Sequence, residues 1–193
     1  MNQDIIDGVW YPNAEFVESV ITRLVPVLFP SYDIAEPDFQ FLGGEQGRGL
    51  LTSSLARPMP YFGLDRYPSI AEKAAALMWS ITLNHPFNDG NKRAALTTSF
   101  VFIVNNAHTI LVNQDVAVEM CLRVAANKPG YSEAFIATWM RRHMLSSEDF
   151  SNRRATDATF AQMHADPTGR LWADLDTEQQ RAWLAFYRSI ASL

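Results

Sequence analysis

Cysteine is nearly absent from this chain: Cys121 is the only one. No disulfide can form within it, and a lone thiol suits a reducing compartment, so a cytoplasmic setting is expected. A basic surplus is also missing. Lys and Arg number 16 against 21 Asp and Glu, a formal net charge of −5, so no direct nucleic-acid partner is expected. Charged residues make up only 19% while hydrophobic residues reach 48%. That balance excludes a chain disordered by composition, and 193 residues suffice for one sizeable core, with room for an appendage. The longest apolar stretch, around Phe100 to Val104, is far too short to cross a bilayer, and no membrane partner is expected. Met1 to Gly8 carries acids and no basic segment, so no secretory signal is expected. No internal repeat stands out.

What is present is helical periodicity. Phe16, Val20, Leu24 and Val27 recur every three to four residues, which predicts a helix over Glu15–Phe29. Pro30, Pro37 and the run Gly43-Gly-Glu-Gln-Gly-Arg-Gly49 predict loop over 30–49, with a short helix over Leu50–Ala56. Two prolines make Arg57-Pro-Met-Pro-Tyr-Phe-Gly63 extended or turning. Ser69 and Glu72 form a capping box for a helix over Ser69–Asn84. A second helix, Asn91–Asn106, is apolar nearly all round and must be surrounded by others. Asp115–Asn127 and Ser132–Met144 complete the set, and Thr109–Val112 is the one strand-like piece. The fold class is all-α, with one domain over 1–145. Residues 146–170 read as a polar, irregular linker, and Leu171–Leu193 as an amphipathic C-terminal helix.

Chemistry concentrates in one segment, His85-Pro-Phe-Asn-Asp-Gly-Asn-Lys-Arg93, between the two most apolar helices. The helix that starts near Gly90 and Asn91 offers N–H groups without intrahelical partners, an anion site that its dipole reinforces. Lys92 and Arg93 add charge there, and Gly90 permits close backbone approach. Asp89 is placed to hold Mg²⁺ against phosphates, and His85 can take a proton from an incoming hydroxyl near neutral pH. Phe87 is expected to anchor the loop in the core. Residue types alone leave a structural reading equally open: His85 satisfied internally, Asp89 a helix cap, Lys92 and Arg93 solvated. Zinc fits less well, because Pro86 and Gly90 deny His85 and Asp89 a shared helix face.

The segment resembles the Fic motif, His-x-Phe-x-Asp/Glu-Gly-Asn-x-Arg, and within it the Doc (death-on-curing) branch. The matching positions are His85, Phe87, Asp89, Gly90, Asn91 and Arg93, with Pro86 a common filler. Gly49-Leu-Leu-Thr-Ser-Ser-Leu-Ala-Arg-Pro58 and Tyr67-Pro-Ser-Ile-Ala-Glu-Lys-Ala-Ala75 are similar to the family's upstream part, so the resemblance covers roughly residues 10–145. It implies a Fic/Doc-type helical bundle with a small β flap. His85 would be the general base, Asp89 the Mg²⁺ ligand, and Gly90, Asn91, Lys92 and Arg93 the binders of the ATP phosphates. The flap would be Arg57, Pro58, Met59, Pro60, Tyr61, Phe62 and Gly63, adding the target peptide as a strand.

Two departures bear on the reaction the resemblance implies. AMP-transferring members usually have Gly where Lys92 stands and a second arginine where Leu96 stands. The Doc-like arrangement implies transfer of the γ-phosphate of ATP to a protein hydroxyl, with AMP transfer and an inert binding module as alternatives. The implied target is a translation factor, an elongation factor above all, and the implied partner is a Phd-type antitoxin. Leu171-Trp-Ala-Asp-Leu-Asp-Thr-Glu-Gln-Gln180 loosely resembles such an antitoxin's tail, so 151–193 could be a tethered neutralising segment or an ordinary extra helix. Gly43–Gly49 lacks the Gly-Lys-Ser/Thr ending of a phosphate loop and is expected to be plain loop.

Overall fold

The computed structural model describes residues 4–28, 39–112 and 114–163. The expected C-terminal helix over 171–193 lies outside them. The described chain is mostly helical. A hairpin of β1 (Asp4–Ile6) and β2 (Val9–Tyr11) leads into α1 (Ala14–Leu28), followed by α2 (Glu45–Ala56), α3 (Ile70–Asn84) and α4 (Asn91–Asn105). Then come β3 (His108–Ile110), α5 (Gln114–Ala125), α6 (Glu133–His143), β4 (Met144–Ser146), α7 (Ser147–Thr156) and α8 (Ala158–Met163).

The central pair is α3 and α4, with α1 and α5 against α4 and with α2 and α6 against α3. The expected capping box starts α3: Ser69 Oγ accepts from the Glu72 N–H at 3.3 Å, and the Ser69 N–H donates to Glu72 Oε2 at 3.0 Å. Along α4, Ala94 to Ile103 are all buried, and the small residues Ala94, Ala95 and Ser99 let its neighbours approach on every side. Ser99 disposes of its hydroxyl by donating to the Ala95 carbonyl at 2.7 Å. Leu77, Met78, Ile81, Phe102, Ile103 and Ile136 are wholly buried at the centre.

The N-terminal hairpin is clasped by a side chain far along the chain. Asn106 Oδ1 accepts from the Trp10 N–H at 2.8 Å and Asn106 Nδ2 donates to the Trp10 carbonyl at 3.0 Å, across a separation of 96 residues. Its turn, Asp7-Gly8, has φ of 51° and 78°, the signature of a two-residue hairpin turn.

Several expectations are corrected. α2 begins at Glu45, not Leu50, so Gly47 and Gly49 sit inside a helix. Glycine lowers helix propensity, but here packing overrides it. Strand structure is wider than Thr109–Val112: β1, β2 and β4 were not expected, and β3 pairs antiparallel with β4, His108 opposite Ser146. The polar stretch after residue 145 is not irregular in its described part. Ser146 caps α7, accepting from the Asp149 N–H at 2.9 Å, and the buried rings of Phe150 and Phe160 meet at 5.5 Å to close α7 on α8. β4 runs across residue 145 and pairs with β3, and α7 packs against both strands.

Candidate active site

The motif loop is held from three sides. At its start, α3 ends on His85, which is exposed and left-handed at φ 48°, ψ 59°. The preceding Asn84 donates to Ser54 Oγ at 2.9 Å, tying the end of α3 to α2. Along its length, the loop pairs with residues 40–42 like a short strand. Leu42 N–H donates to the Pro86 carbonyl at 2.9 Å, Asn88 N–H donates to the Gln40 carbonyl at 2.9 Å, and Phe41 stands opposite Phe87. Phe87 is buried as expected, stacked on Phe41 at 5.2 Å and edge-on to Phe39 at 5.9 Å.

Gly47 explains why glycine sits inside α2. A Cβ there would lie 2.4 Å from the Pro86 carbonyl oxygen and 2.6 Å from the Leu42 nitrogen, both backbone atoms that cannot swing aside. Gly47→Ala is therefore expected to push the motif loop off α2 and destabilise the protein by about 1–3 kcal/mol, as overpacking does. Gly49→Ala, with open space at its Cβ, should be neutral or stabilising. Chemical denaturation of the two variants checks the contrast.

At the far end, Asn91 is a brace that the sequence reading did not anticipate. It is buried; its Oδ1 accepts from the Phe87 N–H at 2.9 Å and its Nδ2 donates to the Phe87 carbonyl at 2.8 Å. What it can offer an anion is its backbone N–H at the head of α4, not its side chain. Gly90 turns the chain into α4 at φ 82°, and a Cβ on it would lie 2.3 Å from the Phe39 ring.

Beside this helix head lies a cavity of about 230 Å³ lined by Asp89, Gly90, Lys92, Arg93, Leu96, Val118, Cys121 and Leu122. The expected phosphate-site residues are thus brought together with an apolar far wall, apart from Asn91. The cavity is smaller than the roughly 300–1,000 Å³ that encloses a whole drug-sized ligand, so it suits the phosphate end of a nucleotide. Asp89 is exposed and accepts from the Gly90 N–H at 2.6 Å. Among the described residues no group of three His, Cys, Asp or Glu side chains could cage a metal. One carboxylate beside a phosphate site is nonetheless the donor set Mg²⁺ uses when phosphate oxygens and water complete its shell, so the residues fit that ion. Cys121 in the cavity wall is no nucleophile. Burial pushes its thiol up to about 12 against the opposing effects of Thr82 and Lys92, and its Sγ sits 3.1 Å from the Lys92 carbonyl.

The segment expected to act as a flap forms a tight hairpin. Tyr61 and Leu64 exchange two backbone hydrogen bonds of 3.0 Å, and Phe62 and Gly63 turn between them at φ 49° and 76°. Tyr61, Phe62 and Leu64 are all largely exposed. Under the hairpin runs a groove of about 700 Å³, walled by Arg57, Met59, Pro60, Tyr61, Leu64 and Arg66, with Ser53 and Ala56 of α2 and Ser80 and Asn84 of α3. Arg57 is a strut here: its Nε and Nη2 donate to Glu133 Oε2 at 3.0 and 2.7 Å. Along the chain, Asn84 lines the groove, Asp89 lines the cavity, and His85 lies between them.

Residues 22–103 match the model of the Fic/DOC family. The Fic/DOC match takes in α2, α3, the flap, the motif loop and most of α4. Over 78 residues the chain is 40% identical to Toxin Doc of Mycolicibacterium smegmatis, a similarity that covers 38% of this chain and 60% of that relative. The Doc-like branch of Fic/DOC is thereby supported. No solved structure matches the chain.

Proposed function

We propose that the protein is a Doc-like toxin that transfers the γ-phosphate of ATP to a serine or threonine hydroxyl of a protein target. The observation that carries this is the order along the motif loop: Asn84 lines the groove, His85 follows on a left-handed turn, and Asp89, Gly90, Lys92 and Arg93 line the cavity at the head of α4. His85 takes the proton from the target hydroxyl as its oxygen bonds to the γ-phosphorus. The bond from that phosphorus to the bridging oxygen breaks, and ADP leaves. The N–H groups at the start of α4, with Lys92 and Arg93, hold the phosphate oxygens and offset their charge. Mg²⁺ bound at Asp89 would neutralise phosphate charge. Leu96 favours γ-phosphoryl over AMP transfer, because it makes that part of the cavity wall apolar and gives no second cation to hold a distal phosphate. The target we expect is a translation factor of the cytoplasm, docked as a strand on the flap edge, with neutralisation by a Phd-type antitoxin in trans or by this chain's own C-terminal segment.

Cell extract incubated with the protein and with ATP labelled at either the α or the γ position tests the reading. Label from the γ position alone should reach protein, in a Mg²⁺-dependent manner. Label from the α position would establish AMP transfer instead, and label from neither would leave an inert binding module.

A further inference from the structure

Lys73 has no part in the chemistry above, yet it is among the most deeply buried polar side chains, 2% exposed on the first turn of α3. Its Nζ lies 2.7 Å from both carboxylate oxygens of Asp65 and 3.5 Å from the Pro58 carbonyl, and 5.8 Å from the centre of the Tyr11 ring. Pro58 and Asp65 are the two feet of the flap: the chain leaves the first, turns at Phe62-Gly63 and returns to the second. Asp65 is itself held in shape, accepting from the Tyr67 N–H at 3.0 Å. A buried ammonium is a poor way to gain stability, since desolvation offsets much of the attraction and an apolar side chain often does as well. It is a good way to fix a loop, because it has several donors and fails badly if its acceptors move.

We infer that Lys73 is a positioning residue that pins both feet of the flap to α3, and so sets the height of the flap above the groove and how firmly a target strand docks there. This rests on the proposed reaction for its functional half only. Met59 packs against the core and its N–H donates to the Ala56 carbonyl at 3.0 Å, but beyond it the hairpin is held to itself by a single pair of backbone bonds between Tyr61 and Leu64. Such a hairpin does not hold its own place.

Lys73→Met in the full chain tests it, because Met keeps the shape and Asp65, 39% exposed, can turn to water. The labelled target recovered from the extract serves as substrate. Amide exchange at Tyr61 and Leu64 should quicken on the order of 10-fold, and KM for the target should rise roughly 10-fold with little change in kcat, in line with the loss of a charged hydrogen-bond set. Affinity for ATP with Mg²⁺ should stay within about twofold, since the cavity is formed by other elements. Unchanged flap exchange, unchanged KM, or a fall in nucleotide affinity with kcat would overturn the assignment. Should the single variant unfold, Lys73→Met/Asp65→Asn, which leaves neither charge alone, is read by the same three measurements. If the wild type labels nothing, the proposed reaction fails, while amide exchange still decides whether Lys73 holds the flap.

Discussion

His85→Ala is expected to lower protein labelling by about 10²–10⁴-fold, the usual worth of a positioned general base, while nucleotide affinity stays unchanged. His85 is exposed, so the fold should survive. Its backbone sets one condition on the experiment. At φ 48° and ψ 59° the residue sits in the left-handed region, where Asn is better tolerated than Ala. His85→Asn should therefore be as inactive as His85→Ala but somewhat more stable. Labelling rates and thermal unfolding of the pair separate the loss of chemistry from strain. Wild-type labelling by both variants would remove His85 from the mechanism.

Asn91→Ala is expected to be strongly destabilising. It leaves the N–H and the carbonyl of buried Phe87 without partners. Each stranded group costs about 1–3 kcal/mol, so a total of about 2–5 kcal/mol is expected from urea unfolding. Asn91→Asp keeps the acceptor for the Phe87 N–H and loses the donor to its carbonyl, and should fall between. A cost of under about 0.5 kcal/mol for Asn91→Ala, the level of an ordinary surface change, would show that water or a shift of the loop replaces the brace.

Much of the scaffold was legible because its signals are local. Ser69 and Glu72 announce the start of α3, Asn84 and Pro86 its end, and the apolar run after Asn91 a surrounded α4. Phe87 reads as an anchor because a large apolar residue among polar ones has nowhere else to go. What was missed depends on partners distant in sequence. Nothing near Gly47 says that a carbonyl from Pro86 will press against it, so its helix reads as loop. Asn91 looks like a phosphate ligand until Phe87 is seen to occupy its side chain. α7 is polar on most of its surface and buries Phe150 alone along its length, too faint a period to read. The hairpin of β1 and β2 differs, since Asp7-Gly8 between hydrophobic residues is a direct local turn signal.

The clasp of Asn106 on Trp10 governs the order in which the molecule can be assembled. β2 finds its backbone partner on a side chain made 96 residues later, after α4 is complete. Closing a loop of that length must wait for its far end, and its entropy cost is met only when the contacts it brings have formed. During vectorial synthesis this clasp can therefore close only after α3 and α4 have been made.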